Sequence, residues 1–215
     1  IKGCIVTIDA MGCQKKIAQC IIDRGADYVL PVKGNQSRLA ADIADWFEYA
    51  QQTDFASTPH DYAKTVNKGH GRIEIRECWT LDAPQAMDYI RHYEGWSQLQ
   101  TIAMVRRERR VADTVSVETQ YYISSLSGDA ALMLSCARRH WAVENNLHWV
   151  LDVVFREDAA QNWKDNSAAN MTVLRHIALN LLKQMPKTKK KLSIPLKRMK
   201  AALEPDYLLQ VLQHI

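Results

Sequence analysis

The stretch GCIVTID at residues 3–9 decides the fold, together with YVLPV at residues 28–32. The first stretch is short, apolar and rich in β-branched residues, which is typical of a strand buried on both faces. The second, with Tyr28, Val29, Leu30 and Val32, predicts another strand. Between them, residues 12–24 place apolar side chains at a helical period, and Gly25 is a typical helix stop. A strand, a helix and a strand at this spacing predict a βαβ unit with parallel strands and a right-handed crossover.

The rest of the chain first continues this pattern and then changes. Residues 37–51 again have a helical period, with Leu39, Ile43, Trp46 and Phe47 on one side. Residues 58–126 instead favour antiparallel strands, and the sequence RRERR at residues 106–110 is interpreted as an exposed hairpin tip. Three helices are predicted after these strands. The first covers about residues 129–151 and has Asp129 as its N-cap, the second covers residues 166–184, and a short third covers residues 205–215.

Composition places the chain among soluble globular proteins. It has 215 residues, of which 47% are hydrophobic and 24% charged, and no apolar run is long enough to cross a membrane. It does not start like a signal peptide. The five cysteines are odd in number and form no C-x-x-C pair, which argues against a zinc cage or a disulfide framework. We expect free thiols in a reducing cytoplasm.

Charge is distributed unevenly along the sequence. Residues 166–203, here called the basic arm, hold nine Lys or Arg and no Asp or Glu, so a chain of net charge +4 carries −5 elsewhere. This asymmetry indicates a basic segment that meets a polyanion such as DNA, with salt-dependent affinity. The alternative is a solvated basic tail without a partner.

Asp9 follows the first predicted strand. In an open α/β sheet, a carboxylate beyond the carboxyl end of a buried strand is often a functional residue. The alternative is an Asp that caps the next helix, with Gly12 as part of the turn, and position alone does not separate the two.

Glu144 lies in the segment RRHWAVENNLHW at residues 138–149. On a helix, His140, Glu144, His148 and Leu151 share one face, since positions three and four apart are neighbours. A carboxylate flanked by imidazoles and basic residues suits a divalent metal near a phosphate. A zinc site is the competing chemistry, although the H-E-x-x-H spacing is absent. An ordinary polar surface helix is the third possibility. Trp141 and Trp149 are interpreted as core residues rather than base-stacking platforms.

Two glycine-containing loops are candidates for binding phosphate groups. Residues 68–72 (KGHGR) and residues 33–36 (KGNQ) can present main-chain N–H groups and cations to an anion, or they can be simple glycine turns. The second loop should lie at the same sheet edge as Asp9. The acidic pair Glu157 and Asp158 is interpreted first as a helix end or surface pair and second as metal-related.

These segments, taken in order, carry a family resemblance. The matching motifs are IVTIDAMGCQ at residues 5–14, ADYVL with KGNQ at residues 26–36, HGRIE at residues 70–74, and HWAVENNLHWVLDV with FRED at residues 140–158. Together they resemble bacterial insertion-sequence transposases of the DDE superfamily, and more narrowly the H-repeat-associated proteins found with Rhs elements. The resemblance runs from residue 1 to about residue 185.

The resemblance implies an α/β, RNase H-like fold. It consists of a mixed sheet flanked by helices, with a β-rich insertion before the last catalytic helix, and it is incomplete at the N-terminus. The expected divisions are a partial catalytic core at residues 1–57, the β-rich insertion at 58–127, C-terminal catalytic-core helices at 128–185, and a basic tail with a short helix at 186–215.

The resemblance also implies a chemistry and its residues. Asp9 and Glu144 would be the second and third acidic residues of a catalytic triad that holds Mg²⁺ (or Mn²⁺). The reaction would be metal-assisted attack of water or a 3′-hydroxyl on a DNA phosphodiester. Some DNA contacts are expected from the resemblance and others from the loops and cations described above. They are Lys33, Asn35, His70, Arg72, Arg139, His140, His148, Lys189, Lys190 and Lys191.

The chain departs from the family pattern at two points. The first triad Asp belongs on an earlier strand, whereas only eight residues precede Asp9 and none is acidic. In the related pattern Y-x₂-R-x₃-E-x₆-K, the positions of Tyr, Arg and Lys are occupied here by Ala137, His140 and Leu151. We therefore expect a truncated, inactive copy of a transposase.

The expected partners are transposon ends and target DNA, with no membrane, and the intact protein is a candidate homo-oligomer in the bacterial cytoplasm. Two other functions stay open at this point. One is a non-catalytic DNA-binding protein driven by the basic arm. The other is a simple RNase H-like nuclease.

Overall fold

A computed structural model describes residues 1–56, 58–69, 71–82, 89–186 and 192–213. The chain divides into two compact units, Ile1–His140 and Trp141–Ile215, and each is described by itself. Among the described residues, no helix combines the length and the apolar character needed to cross a membrane. The division into four parts that we expect from the sequence stays a prediction.

The first unit begins with the predicted βαβ unit. Strand β1 (Ile5–Thr7) pairs in parallel with β2 (Asp27–Val32), and helix α1 (Lys15–Asp23) connects them. Gly25 follows α1 with a φ of +69°, a left-handed conformation that glycine adopts without steric cost. The prediction that the first strand is buried on both faces is wrong, because among the described residues β1 is an edge strand and Ile5 is 37% exposed.

The β-rich segment forms four strands, one more than the three that the apolar runs at residues 73–79, 101–106 and 115–124 suggest. These are β3 (His60–Gly69), β4 (Arg72–Asp82), β5 (Thr101–Val111) and β6 (Thr114–Ser124). They pair antiparallel in series, and β6 pairs with β2, so that one mixed sheet has the order β1-β2-β6-β5-β4-β3. The α/β class with a mixed sheet is therefore confirmed.

Residues 106–110 are not a hairpin tip, so this prediction is wrong. They lie inside β5, and the turn to β6 is at residues 112–113. Their cations are paired within the sheet: Arg106 with Glu77 on β4 at 3.0 Å, and Arg107 with Glu118 on β6 at 2.5 Å. These carboxylates allow a basic run to occupy the strand.

The four antiparallel strands extend past the edge at which β1 and β2 end. The last residue of β2, Val32, pairs with Tyr121, whereas β6 begins at Thr114. At about 3.3 Å per residue, the sheet continues for roughly 20 Å beyond β2. Arg72 pairs with Val111 at the far end of this extension.

The sheet is covered on both faces. Helix α2 (Ser37–Gln52) packs on one face together with α1, and its predicted apolar residues Leu39, Ile43 and Phe47 are buried there against Leu30 and Ile123 of the sheet. Helix α3 (Ala130–Val143) packs on the opposite face. Its predicted cap is confirmed, because the Leu132 N–H donates to Asp129 Oδ1 at 2.8 Å.

The second unit is helical. Helix α4 (Ser167–Gln184) and helix α6 (Pro205–Leu212) correspond to the predicted helices, and α5 (Ile194–Leu203) lies where we expect only a tail. Leu181, Leu182 and Met185 pack against Tyr207 and Val211. The prediction that Trp141 and Trp149 are core residues is wrong, because they are 46% and 55% exposed.

An ion pair between a buried carboxylate and an exposed guanidinium connects α2 to the segment before β5. Asp42, whose side chain is 5% exposed, accepts the Arg91 backbone N–H at 3.0 Å and guanidinium N–H groups at 2.9 and 2.5 Å. Burial raises the pKa of Asp42, but the hydrogen bonds and charge of Arg91 outweigh burial, so the pKa lies below its ordinary value.

We expect Asp42→Asn to lower the free energy of unfolding at pH 7 by about 1.5–3 kcal/mol, the usual contribution of hydrogen bonds to a charged group. A carboxyl group with a lowered pKa stabilises the fold above its unfolded-state value, about 3.9, and this contribution is lost as the pH falls through the folded-state pKa. Urea unfolding at pH 7 and below pH 4 measures the difference between the two proteins, which should shrink in acid. The control Asp113→Asn, in the exposed turn between β5 and β6, should have little effect. A difference that does not change with pH would contradict this assignment.

Candidate functional site

Asp9 lies directly after β1, at the start of the single 3₁₀ turn Ala10–Gly12. Its side chain is 77% exposed and makes no capping hydrogen bond, and Gln14 is the residue that precedes α1. The interpretation of Asp9 as a helix cap is therefore wrong. Gly12 is required for packing, because a Cβ there would overlap the side chain of Ile8. The carboxylate is left free for other partners at the end of a strand.

Side chains of the KGNQ loop hold the turn that carries Asp9. Asn35 Nδ2 donates to the Ala10 carbonyl at 2.6 Å, and Gln36 Nε2 donates to the Cys13 carbonyl at 3.0 Å. The prediction that this loop lies at the same edge as Asp9 is thus confirmed. We name Asn35 and Gln36 the turn clamp. A role of Asn35 in DNA binding stays a prediction, while Lys33 next to it is exposed.

We expect Asn35→Ala to loosen this turn. One hydrogen bond is worth about 1 kcal/mol, so the amide hydrogen exchange of Gly12 and Cys13 should accelerate by roughly fivefold. Exchange measured by NMR tests the effect, and Asn170→Ala on the exposed face of α4 is the matched control. Unchanged exchange in the Asn35 variant would mean that the clamp does not hold the turn.

His140 contacts Asp9 directly. Its Nε2 lies 3.0 Å from Asp9 Oδ1, and its Nδ1 lies 3.2 Å from Thr7 Oγ1. Thr7 and Asp9 are two residues apart along an extended segment, so their side chains point to the same face. A neutral imidazole can donate at one nitrogen and accept at the other, which allows both contacts at once. His140 therefore orients the Asp9 carboxylate, whereas the sequence suggests only a contact with phosphate.

Glu144 and His148 belong to the second unit. Both are exposed, and they begin and end the π-helical turn Glu144–His148. π-Helical turns are rare and occur frequently at functional sites. Arg139, in the first unit, is exposed on α3. The catalytic role of Glu144 and the DNA contacts of Arg139 and His148 stay predictions.

Of the remaining predicted DNA contacts, Arg72 is described, and it is not brought together with Asp9. Arg72 lies at the far end of the sheet extension, and its Nε is 3.3 Å from Glu74 Oε1. His70, Lys189, Lys190 and Lys191 lie outside the described residues. Glu157 is half-buried, accepts a hydrogen bond from Thr172 Oγ1 at 2.7 Å and pairs with Arg175 at 3.5 Å. The interpretation of Glu157 and Asp158 as a helix end or surface pair stays a prediction.

Several cations of the basic arm are bound within the second unit. Lys183 Nζ donates to the Asn146 carbonyl at 2.8 Å, and Lys197 Nζ donates to the Leu182 carbonyl at 2.7 Å. Arg198 donates to the Val154 carbonyl and lies 4.7 Å over the Phe155 ring. These contacts use the cations as ligands of helix-end carbonyls, which lowers the number available to a polyanion.

The described residues do not by themselves complete a metal site. No group of three or more His, Cys, Asp or Glu within them could hold a metal ion. Asp9 supplies one exposed carboxylate, and Mg²⁺ is bound by one or two carboxylates together with water and substrate phosphates. An ion bound at Asp9 would thus take its other ligands from water, from substrate phosphates or from groups outside any such cluster of the described residues.

Comparisons with known proteins agree with one another. The family model described as "Transposase DDE domain" matches residues 1–181. The protein YbfL of Escherichia coli K12 is 38% identical over 216 residues, which cover 99% of this chain and 55% of YbfL. The "H repeat-associated putative transposase YhhI" of the same strain has the same identity and coverage. The chain spans about half the length of these relatives. No solved structure matches it significantly.

Proposed function

The chain belongs to the DDE transposase domain family, and on this premise we propose that it contributes to metal-dependent cleavage and transfer of DNA strands in transposition. The observation that carries the proposal is the exposed Asp9 carboxylate after β1, oriented by His140 and placed on a clamped turn. Such preorganisation of a carboxylate is what a metal-dependent reaction requires of a protein.

In this proposal the acidic residues have defined tasks. Asp9 and Glu144 supply carboxylate oxygens, and a third carboxylate comes from residues outside this chain. Divalent ions bound there, Mg²⁺ or Mn²⁺, would make the attacking oxygen a better nucleophile and stabilise the leaving oxygen. His140 and Thr7 keep the Asp9 carboxylate in one orientation, and the turn clamp fixes the backbone beneath it.

The DNA partners in this proposal are transposon ends and target DNA. The exposed cations Lys33 and Arg139 and the exposed His148 would contact phosphates and add affinity that does not depend on sequence. Arg72 would contact a more distant part of the DNA, because the extended strands carry it away from β2. Homo-oligomers of the intact protein and a cytoplasmic location stay predictions.

Nicking of supercoiled plasmid DNA tests the proposal, with this chain and with a protein of the relatives' full length that contains it. We expect nicking that requires Mg²⁺ or Mn²⁺ in the longer protein. Whether the 215-residue chain is an inactive copy is decided by the same assay. Binding without nicking in the longer protein, with affinity falling steeply as salt rises, would instead favour the non-catalytic DNA-binding protein. Preference for RNA–DNA hybrid would favour the simple nuclease.

A further inference from the structure

A pocket lies between the end of α2 and strands β3 and β4, apart from the residues assigned to the reaction. Its volume is about 420 Å³, within the usual range for small-molecule sites of roughly 300–1,000 Å³. Gln51, Asp54, Phe55, His60, Tyr62 and Trp79 line it. The proposed transposition chemistry uses none of these side chains.

Four of these side chains are aromatic and form a continuous series. The ring of Phe55 lies 4.6 Å from that of His60 and 6.2 Å from that of Trp79, and the second pair is nearly parallel at 5°. The ring centroid of Tyr62 lies 5.1 Å from that of Trp79, with the two rings tilted by 45°. His60 and Tyr62 are exposed, and Phe55 and Trp79 are half-buried, so ring surface remains open to a ligand.

The backbone is strained at two of the residues that line the pocket. Asp54 and Phe55 have φ values of +48° and +56°, in the left-handed region that non-glycine residues rarely adopt. Such conformations persist only when the surrounding structure supports them, and they cluster at functional sites. Here the strain places an aromatic ring and a carboxylate side by side at the pocket.

The charge of the pocket is negative. Within the described part of the chain, the Asp54 carboxylate has no ion-pair partner. The nearby cations Lys64 and Arg106 are both bound to Glu77, at 3.1 and 3.0 Å, and the Tyr62 hydroxyl donates to the same carboxylate at 2.8 Å. Aromatic faces and an unpaired carboxylate together attract a cation that carries apolar groups.

We propose that this pocket binds an organic cation of the ammonium or guanidinium class between the aromatic rings and the Asp54 carboxylate. The ligand is either a free small cation or a Lys or Arg side chain of a protein partner. A nucleotide is less suited, because its phosphate would approach an unpaired carboxylate.

NMR of the indole N–H groups tests the proposal on the 215-residue chain. The six tryptophans give internal controls for Trp79, whose signal is identified by Trp79→Phe. The probes are choline, spermidine and an arginine-containing peptide, and 3,3-dimethylbutan-1-ol is the neutral isostere of choline. We expect choline to shift the Trp79 signal saturably and the isostere to bind more weakly. Choline and spermidine represent a free cation, whereas the peptide represents a protein side chain.

Variants distinguish side chains that bind the ligand from side chains that only support the fold. Trp79→Phe lacks the reporter signal, so its affinity for choline is measured by isothermal titration calorimetry. Binding should weaken by roughly twofold to thirtyfold, the range of cation–π contributions. Asp54→Asn keeps a residue that tolerates left-handed φ but removes the charge, and it should weaken binding about threefold or more. Asp54→Gly should raise Tm by a few degrees, because it relieves the strain, while it weakens binding. The matched control Asp113→Asn, in the exposed turn between β5 and β6, removes the same charge far from the pocket and should bind like the parent.

The proposal is overturned if no cation shifts the Trp79 signal, or if the neutral isostere binds as tightly as choline. Binding of thymidine in preference to every cation would identify a nucleobase site instead. Undiminished cation binding by Asp54→Asn would also contradict it, since this variant retains the fold.

Discussion

Asp9→Asn should lower metal-dependent nicking of DNA by about 10³-fold or more in a protein of the relatives' full length. A carboxylate that holds a catalytic ion contributes several kcal/mol to the stability of the transition state, and each 1.36 kcal/mol is a factor of ten in rate. The fold should be unaffected, because the Asp9 side chain is 77% exposed and an amide can still accept a hydrogen bond from His140.

The matched control is Asp113→Asn, in the exposed turn between β5 and β6. It removes the same charge far from β1 and should leave both nicking and DNA binding unchanged. Retention of nicking by Asp9→Asn, with the same metal requirement as the parent, would remove Asp9 from the reaction. Equal losses in the two variants would indicate an effect of net charge alone.

Glu144→Gln should cause a loss of similar size, and the double variant should lose little more than either single variant. Residues that act as one unit give strongly non-additive effects, because removal of one member already disables the unit. The nicking rates of the parent, the two single variants and the double variant form the cycle that measures this coupling. Glu94→Gln, an exposed glutamate in the turn Tyr93–Gly95, is the control.

Additive losses would contradict a shared site. If Asp9→Asn and Glu144→Gln each reduced the rate and the double variant reduced it by the product of the two factors, the two carboxylates would act independently. A normal rate in Glu144→Gln would assign the glutamate to the surface of its π-helical turn, which is the alternative that the sequence leaves open.

The order of strands and helices could be predicted from the sequence where the pattern is local. The GCIVTI and YVLPV runs and the helical period between them specify β1, α1 and β2 and their parallel pairing. Burial of β1 could not be predicted, because a β-branched apolar run looks the same at the edge of a sheet and at its centre. The position in the sheet depends on which strands lie beside it, and among the described residues only β2 lies beside β1.

The RRERR run at residues 106–110 shows that the position of charged residues in a sheet also could not be predicted from the sequence. Consecutive cations suggest an exposed turn, yet the run continues a strand because carboxylates on β4 and β6 lie opposite it. Cross-strand pairs of this kind depend on register. Register becomes known only once the hairpin turn is placed at residues 112–113.

Asp9 is the candidate site residue whose position the sequence predicts most fully, while its catalytic role stays a prediction. Asp9 follows a strand in a recognisable motif, and the KGNQ loop could be placed at the same edge. The turn clamp could not be foreseen, because its acceptors are the carbonyls of Ala10 and Cys13, which any residue types would provide. Thr7 could have been noticed from the two-residue spacing to Asp9, since alternate residues of a strand share a face.

The central claim is that the carboxylates of Asp9 and Glu144 hold the same ion. Fe²⁺ substituted for Mg²⁺, in the presence of ascorbate and peroxide, generates hydroxyl radicals that cut the polypeptide next to the bound ion. Mass spectrometry of the fragments should find cuts close to both residue 9 and residue 144, and both should disappear with excess Mg²⁺ or in Asp9→Asn. Cuts at only one of these positions, or a cut near residue 144 that persists in Asp9→Asn, would show that the two carboxylates do not share an ion.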